Sequence, residues 1–195
     1  SLTEYLDIKK KVFPPFYFVS SVALLDMLTN GTNPPKNMCY LGDYYDALAN
    51  LRFVKTETGQ SNKVVDVMTA KDGEEVALSD EFIMEGEVEA YLNRLTSAMQ
   101  HSLKVVLSDA IEKAVNWELE TPRHEWLFSY PAQLCITGTQ IYWTDETQLA
   151  LEEYESGQED VVKRYLQVCN TRLSALIDLV LGELDEADRT KVISM

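Results

Sequence analysis

No phosphate-binding loop of the form Gly-x-x-x-x-Gly-Lys-Ser/Thr occurs in this chain, so no glycine amides are arranged there to cradle a nucleotide triphosphate. Only two histidines are present. His124-Glu125 resembles half of a zinc-protease motif, but Trp126 and Leu127 follow and no second histidine comes at ligand spacing. His101 lies beside Gln100 and Ser102 and reads as solvated. The three cysteines, Cys39, Cys135 and Cys169, are odd in number and far apart, which excludes a CxxC redox or zinc pair and predicts reduced core thiols of a cytosolic protein. No apolar run approaches the roughly 18 residues of a membrane span, and the charged opening SLTEYLDIKKK is no signal peptide. Ser20, Ser21 and Ser129 lack the Gly-x-Ser-x-Gly setting of a nucleophile elbow.

Basic residues are also scarce. Seventeen Lys and Arg face 32 Asp and Glu, a net charge of −15, and that field repels nucleic acid and anionic membrane. Acidic runs at 72–75, 85–89, 152–155 and 185–188 lack the ligand alternation of a calcium loop and fall at expected turns and helix ends. No metal, cofactor or catalytic group is therefore assigned, and the chain is read as a non-enzyme. What is present is apolar residues at 46% and aromatics at 10%, enough at this length to bury about 70% of the unfolded surface.

Periodicity predicts a mostly α-helical protein of long antiparallel helices, an elongated bundle with a small β-hairpin or meander insertion. A helix ends near Phe13 because Pro14 and Pro15 disfavour helical geometry before them. FYFV at 16–19 reads as extended, Ser20 or Ser21 caps the next helix, and Asn30-Gly31 stops it. Pro34-Pro35 opens a helix carrying Met38, Leu41, Tyr45 and Leu48. The period then changes to that of strands, with Asp72-Gly73 as a hairpin signal and residues 56–62 as a polar loop. Val88, Leu92, Leu95, Met99, Val106 and Ala110 form a helical stripe. Thr121-Pro122 reads as a helix start. Residues 126–144 read as a helix apolar almost all round, which predicts burial on several sides. Within it Pro131 suits a first turn and Gly138 gives up about 1 kcal/mol of propensity, which a close-packed neighbour would explain. Gln133 and Gln140 share one face and should be specifically hydrogen-bonded. A final amphipathic helix ends at Gly182, and Asp185 starts a short one. The expected division is 1–50 short helices, 51–85 β insertion and 86–195 long-helix bundle. A start at Ser1 and a helical pattern running to the end read as a piece of something longer.

Taken in order, these segments resemble the linker region of dynein heavy chains. SLTEYLDIKKKVFPPFYFVSSVALLDML at 1–28 is similar to that family's basic helix end, aromatic stretch and Leu-rich helix. GEVEAYLNRLTSAM at 86–99 and RHEWLFSYPAQLCITGTQIYWT at 123–144 are similar to later family segments, in the right order, and the hairpin signal appears as Asp72-Gly73-Glu74. Pro15 stands where the family usually has Arg, and Tyr142 where Trp is common. FVSS, YPAQL and the acidic character lean toward axonemal chains.

The resemblance implies a mechanical, non-catalytic linker in a microtubule motor of the cytoplasm and cytoskeleton, in a cilium or flagellum axoneme. Its power stroke would be driven by an AAA+ ATPase ring. ATP and magnesium would then belong to the ring, and the partners would be ring modules of the same heavy chain and other dynein subunits. No nucleic acid, membrane or direct microtubule contact is expected. Candidate contact surfaces are the hairpin tip, Asp72, Gly73 and Glu74, and aromatics Tyr17, Trp117 and Trp126, each of which could equally be core. The alternative is a free-standing acidic helical adaptor or scaffold.

Overall fold

A computed structural model describes residues 1–56, 59–114 and 123–195; Trp117 and the expected start at Thr121-Pro122 lie outside the described residues. The described chain is mostly α-helical with one three-stranded antiparallel sheet in the order β1-β2-β3. It divides into two compact units, Ser1–Val105 and Val106–Met195.

The first unit begins with α1 (Leu2–Val12), capped reciprocally by Ser1 and Glu4. It stops where Phe13 turns extended ahead of Pro14. The stretch expected to be extended is instead a 3-10 helix, Pro14–Phe18. Its period of three residues per turn explains why Phe13, Phe16 and Val19 are all buried while Tyr17 and Phe18 point out. Phe13 and Phe16 meet edge to face at 4.9 Å, and Tyr44 and Tyr45 close the aromatic cluster. Ser20 caps α2 (Ser21–Thr29), which ends at Asn30. The helix expected from Pro34 is a 3-10 segment, Pro34–Tyr40, followed by the single turn α3 (Leu41–Tyr44). It breaks at Tyr45, which turns extended and sends its hydroxyl to the Leu92 carbonyl and Thr96 Oγ1. Leu48 then belongs to a strand.

Strands β1 (Leu48–Thr56), β2 (Gly59–Ala70) and β3 (Glu75–Ile83) pair in sequence and feed the core with Leu48, Leu51, Phe53, Val65, Met68 and Leu78. The polar loop expected at 56–62 is mostly strand: Lys55 pairs with Gln60 and Thr56 with Gly59, and only residues 57–58 lie outside the described chain. Pairing Arg52 with Val67 and Phe53 with Val65 leaves Asp66 as the extra residue of a bulge. Its carboxylate takes the Arg52 guanidinium in a two-bond fork at 2.9 and 2.8 Å. A buried serine joins sheet to helix: Ser102 Oγ accepts the Ser79 N–H at 2.8 Å and donates to Ala98 O.

The long α4 (Val88–Ala114) buries Val88, Tyr91, Leu92 and Leu95 in this first core. Lys9 of α1 reaches its start. The ammonium, on a residue only 9% exposed, donates to Glu89 Oε1 at 2.5 Å and to Glu87 Oε2 at 2.7 Å. Burial alone would lower the Lys9 pKa, but the bonds to Glu87 and Glu89 overcome it and hold the ammonium charged well above its usual range. The same bond holds Glu87 below the usual carboxylate range.

In the second unit the block read at 126–144 divides between α5 (Arg123–Ser129) and α6 (Ala132–Glu155); Pro131, which suits a first turn, stands at the N-cap of α6 and cannot continue α5. The neighbour that explains Gly138 is Trp126: a Cβ on Gly138 would stand 3.2 Å from two of its ring carbons. The indole is pinned by its Nε1–H donating to Ala110 O at 2.8 Å. Gln133 and Gln140, expected to be specifically hydrogen-bonded, are exposed, and so is Trp143. The apolar circumference of α6 is not covered all round within the described residues. A Schellman pair of bonds at Ser156-Gly157-Gln158 closes α6, and α7 (Val161–Leu181) returns beside it. Glu146 and Arg172 lock the two helices through paired bonds at 2.5 and 2.9 Å, and Tyr165 donates to the same carboxylate at 3.3 Å. Arg172 first of all holds Glu146 below its usual range. Gly182 ends α7, and Asp185 caps α8 (Glu186–Ile193). Of the cysteines expected in the core only Cys135 is buried; Cys39 is exposed and Cys169 half-buried.

Lys9→Met leaves a buried carboxylate on Glu89 uncompensated, and an expected loss of about 3–5 kcal/mol is read from the urea midpoint. Lys9→Met with Glu89→Leu recovers most of it. Because the Lys9 pKa is raised, its contribution is complete below the ordinary lysine value of about 10.4 and fades as pH rises beyond it. Glu146 is depressed, so its contribution is complete above about 4.3 and is lost as pH falls. Glu146→Gln therefore flattens the acid limb of a stability-against-pH curve while Lys9→Met flattens the alkaline limb. Gly138→Val, forced against a pinned indole, costs about 1–3 kcal/mol in the same assay.

Candidate functional site

The hairpin tip is built by backbone. Gly73 takes φ +88°, its N–H donates to Ala70 O at 3.0 Å, and Ala70 N–H donates to Glu74 O at 2.8 Å. Asp72 Oδ1 accepts the Glu74 N–H at 3.1 Å, an Asx turn that fixes the approach to β3. A Cβ on Gly73 would meet nothing within 4 Å, so space is free and only the backbone conformation demands glycine. Asp72 and Gly73 are exposed and Glu74 is half-exposed. The tip presents acids to solvent.

Tyr17 is exposed, with the Lys10 ammonium 5.8 Å from its ring centroid. Phe18 beside it is 85% exposed and is the more open aromatic. Its signal in the sequence is the Phe13, Phe16, Val19 spacing, which leaves residues 17 and 18 off the buried side of a 3-10 turn. Trp126 is the correction among the candidates. At 1% exposure it is core, packed against Gly138 and stacked obliquely on Tyr130 at 5.8 Å, because the indole N–H found a carbonyl inside.

Around Trp126 the second unit is tied by side chains to backbone. Tyr142 donates to Ile111 O at 2.8 Å, Tyr130 donates to Asp109 Oδ2 at 2.6 Å, and Lys191 donates to Tyr130 O. Burial pushes the Tyr130 and Tyr142 phenols up, so both stay protonated donors, while Tyr130 foremost holds Asp109 below the usual carboxylate range. These groups serve packing. A cavity of about 520 Å³ opens between α5 and α7, lined in part by Arg123, His124, Arg172 and Asp178. Among the described residues no group of three His, Cys, Asp or Glu is placed to hold a metal ion, and no helix is long and apolar enough to cross a membrane. His101 and His124 are both exposed.

Residues 1–110 match the family described as "Dynein heavy chain, N-terminal region 2". Across its whole length of 195 residues the chain is 37% identical to the ciliary dynein beta chain of Tripneustes gratilla. It is 36% identical to dynein axonemal heavy chain 9 of Homo sapiens and 34% to the flagellar outer-arm dynein beta chain of Chlamydomonas reinhardtii. Each alignment covers 100% of this chain and 4% of the relative. The chain thus spans a small part of the length of the relatives it matches.

Gly73→Val is expected to cost about 1–2 kcal/mol, since a β-branched residue at positive φ is strained wherever its side chain points. Asp72→Asn keeps the Asx acceptor and should stay within about 0.5 kcal/mol. Thermal unfolding of the two variants side by side separates backbone strain from loss of charge.

Proposed function

Because this chain belongs to the dynein heavy chains, in their N-terminal region, we propose that it is a non-catalytic mechanical segment of the linker, carrying conformational change of the AAA+ ring into microtubule-based movement of a cilium or flagellum. The single observation that carries this reading is the collinear match of all 195 residues to ciliary and flagellar heavy chains. A chain without a phosphate-binding loop, built of long helices tied by buried polar bonds, supports the mechanical role: close-packed interiors transmit displacement with little compliance. Its helices would then be part of an elongated antiparallel bundle. ATP and magnesium belong to the ring in this reading. The partners are ring modules of the same heavy chain and other subunits of the motor. The acidic field makes direct contact with the acidic microtubule surface unfavourable.

The hairpin tip is the proposed contact toward the ring, with Tyr17 as a second contact. In the full motor, Asp72→Ala with Glu74→Ala is expected to slow microtubule gliding at least about twofold while leaving the fold of the segment intact. Normal gliding together with normal ATPase would remove the hairpin from the mechanism. Micromolar binding of ATP by the 195-residue chain alone, measured by calorimetry, would overturn the non-catalytic assignment.

A further inference from the structure

The face of α7 that flanks its contact with the second core is apolar, and it is open. Val162, Leu166, Leu173 and Ile177 recur at spacings of four, seven and four, which places them within about 60° of one another around the helix, and they are 41%, 58%, 55% and 50% exposed. On α6, Trp143 and Tyr154 are eleven residues apart on one side and are likewise exposed. The two stripes adjoin: Trp143 and Leu173 line one shallow cavity of about 190 Å³. Below that surface the helices are locked in place by Glu146, Arg172 and Tyr165, so the face is preformed. Scattered exposed leucines need no explanation, but a continuous stripe on two packed helices marks a binding surface.

Charge decides what fits it. Residues 132–181 carry eight acids and three bases, a net of −5, with Glu152, Glu153, Glu155, Glu159 and Asp160 crowded at the turn between the helices. A second copy meeting through this same face would bring like charges together, and an anionic lipid surface would be repelled. We propose that the α6–α7 face is a docking groove for a basic amphipathic helix, one that lays leucine, isoleucine or aromatic side chains along the stripe and flanks them with lysine or arginine. The occupant contributes anchors at i, i+4, i+7 and i+11, the spacing with which one helix meets another. Its Lys and Arg flanks meet the acidic turn, which sets its direction along the groove.

The test uses the whole 195-residue chain and two synthetic amphipathic helices of about 20 residues. They share one leucine face and differ in carrying lysine or glutamate on the flanks. Fluorescence anisotropy is expected to show the lysine peptide binding at least about tenfold more tightly than the glutamate peptide, with the difference shrinking as salt rises. Leu166→Ser with Leu173→Ser should weaken the lysine peptide at least about tenfold while leaving the unfolding midpoint in place. Any one of five results overturns the proposal: equal affinity for both peptides, no effect of the two serines, no binding at about 1 mM peptide, self-association of the chain that the two serines abolish, or binding to phosphatidylserine vesicles that they abolish.

Discussion

The first unit turns on one buried ammonium. Lys9 is held between Glu87 and Glu89, which lie 78 and 80 residues further along the chain, and the contact closes a loop that holds the aromatic turn and the whole sheet. A desolvated ion pair contributes less net stability than its distances suggest, because both charges give up water. Its force lies in exclusion: any arrangement that leaves Lys9 or Glu89 buried alone is heavily penalised. Asn37 and Tyr91 are buried beside the pair, and the Asn37 amide donates to Met27 O at 3.1 Å. Near the start of α4, geometry is therefore dictated by polar groups as much as by leucines.

The second unit is specified differently. Its core is small, and its fixed points are bonds from large side chains to helix backbone: the Trp126 indole to Ala110, the Tyr142 phenol to Ile111, the Lys191 ammonium to Tyr130. Such bonds are directional, so they set the rotation of each helix about its own axis where apolar contact alone would allow it to slip. The Glu146–Arg172 fork does the same for α6 and α7. A unit organised this way stays ordered while much of its apolar surface is uncovered.

Much of the fold was legible because its signals are local. Ser20, Asn30, Gly182 and Asp185 mark helix ends by chemistry that acts within one turn, Asp72-Gly73 marks its turn by backbone conformation, and Gly138 announced a close neighbour that proved to be Trp126. What escaped depends on distant partners. Hydrophobic spacing states which residues share a side of a helix and says nothing of what covers it, so α6 read as enclosed and Gln133 and Gln140 as bonded amides, whereas all of these meet solvent. The clasp on Lys9 has no local signal because its glutamates lie 78 and 80 residues away in sequence. The 3-10 turn at Pro14–Phe18 was missed because two prolines are equally at home in extended and tight-turn backbone. Of the contact candidates, the hairpin tip was readable from turn chemistry and Trp126 was not: an indole looks the same in sequence whether it binds a partner or an internal carbonyl. The family was reached by order of segments, a kind of evidence that physics of single elements does not supply.

The clasp on Lys9 also bears on where this polypeptide tolerates being cut. A fragment trimmed of its first dozen residues would keep every strand and every long helix, yet it would begin life with an orphaned carboxylate at position 89 and a first core lacking Leu6. The opening helix is thus a closing wedge of the domain rather than a dispensable lead-in. Domain boundaries drawn from secondary structure alone would discard the piece that completes the interior.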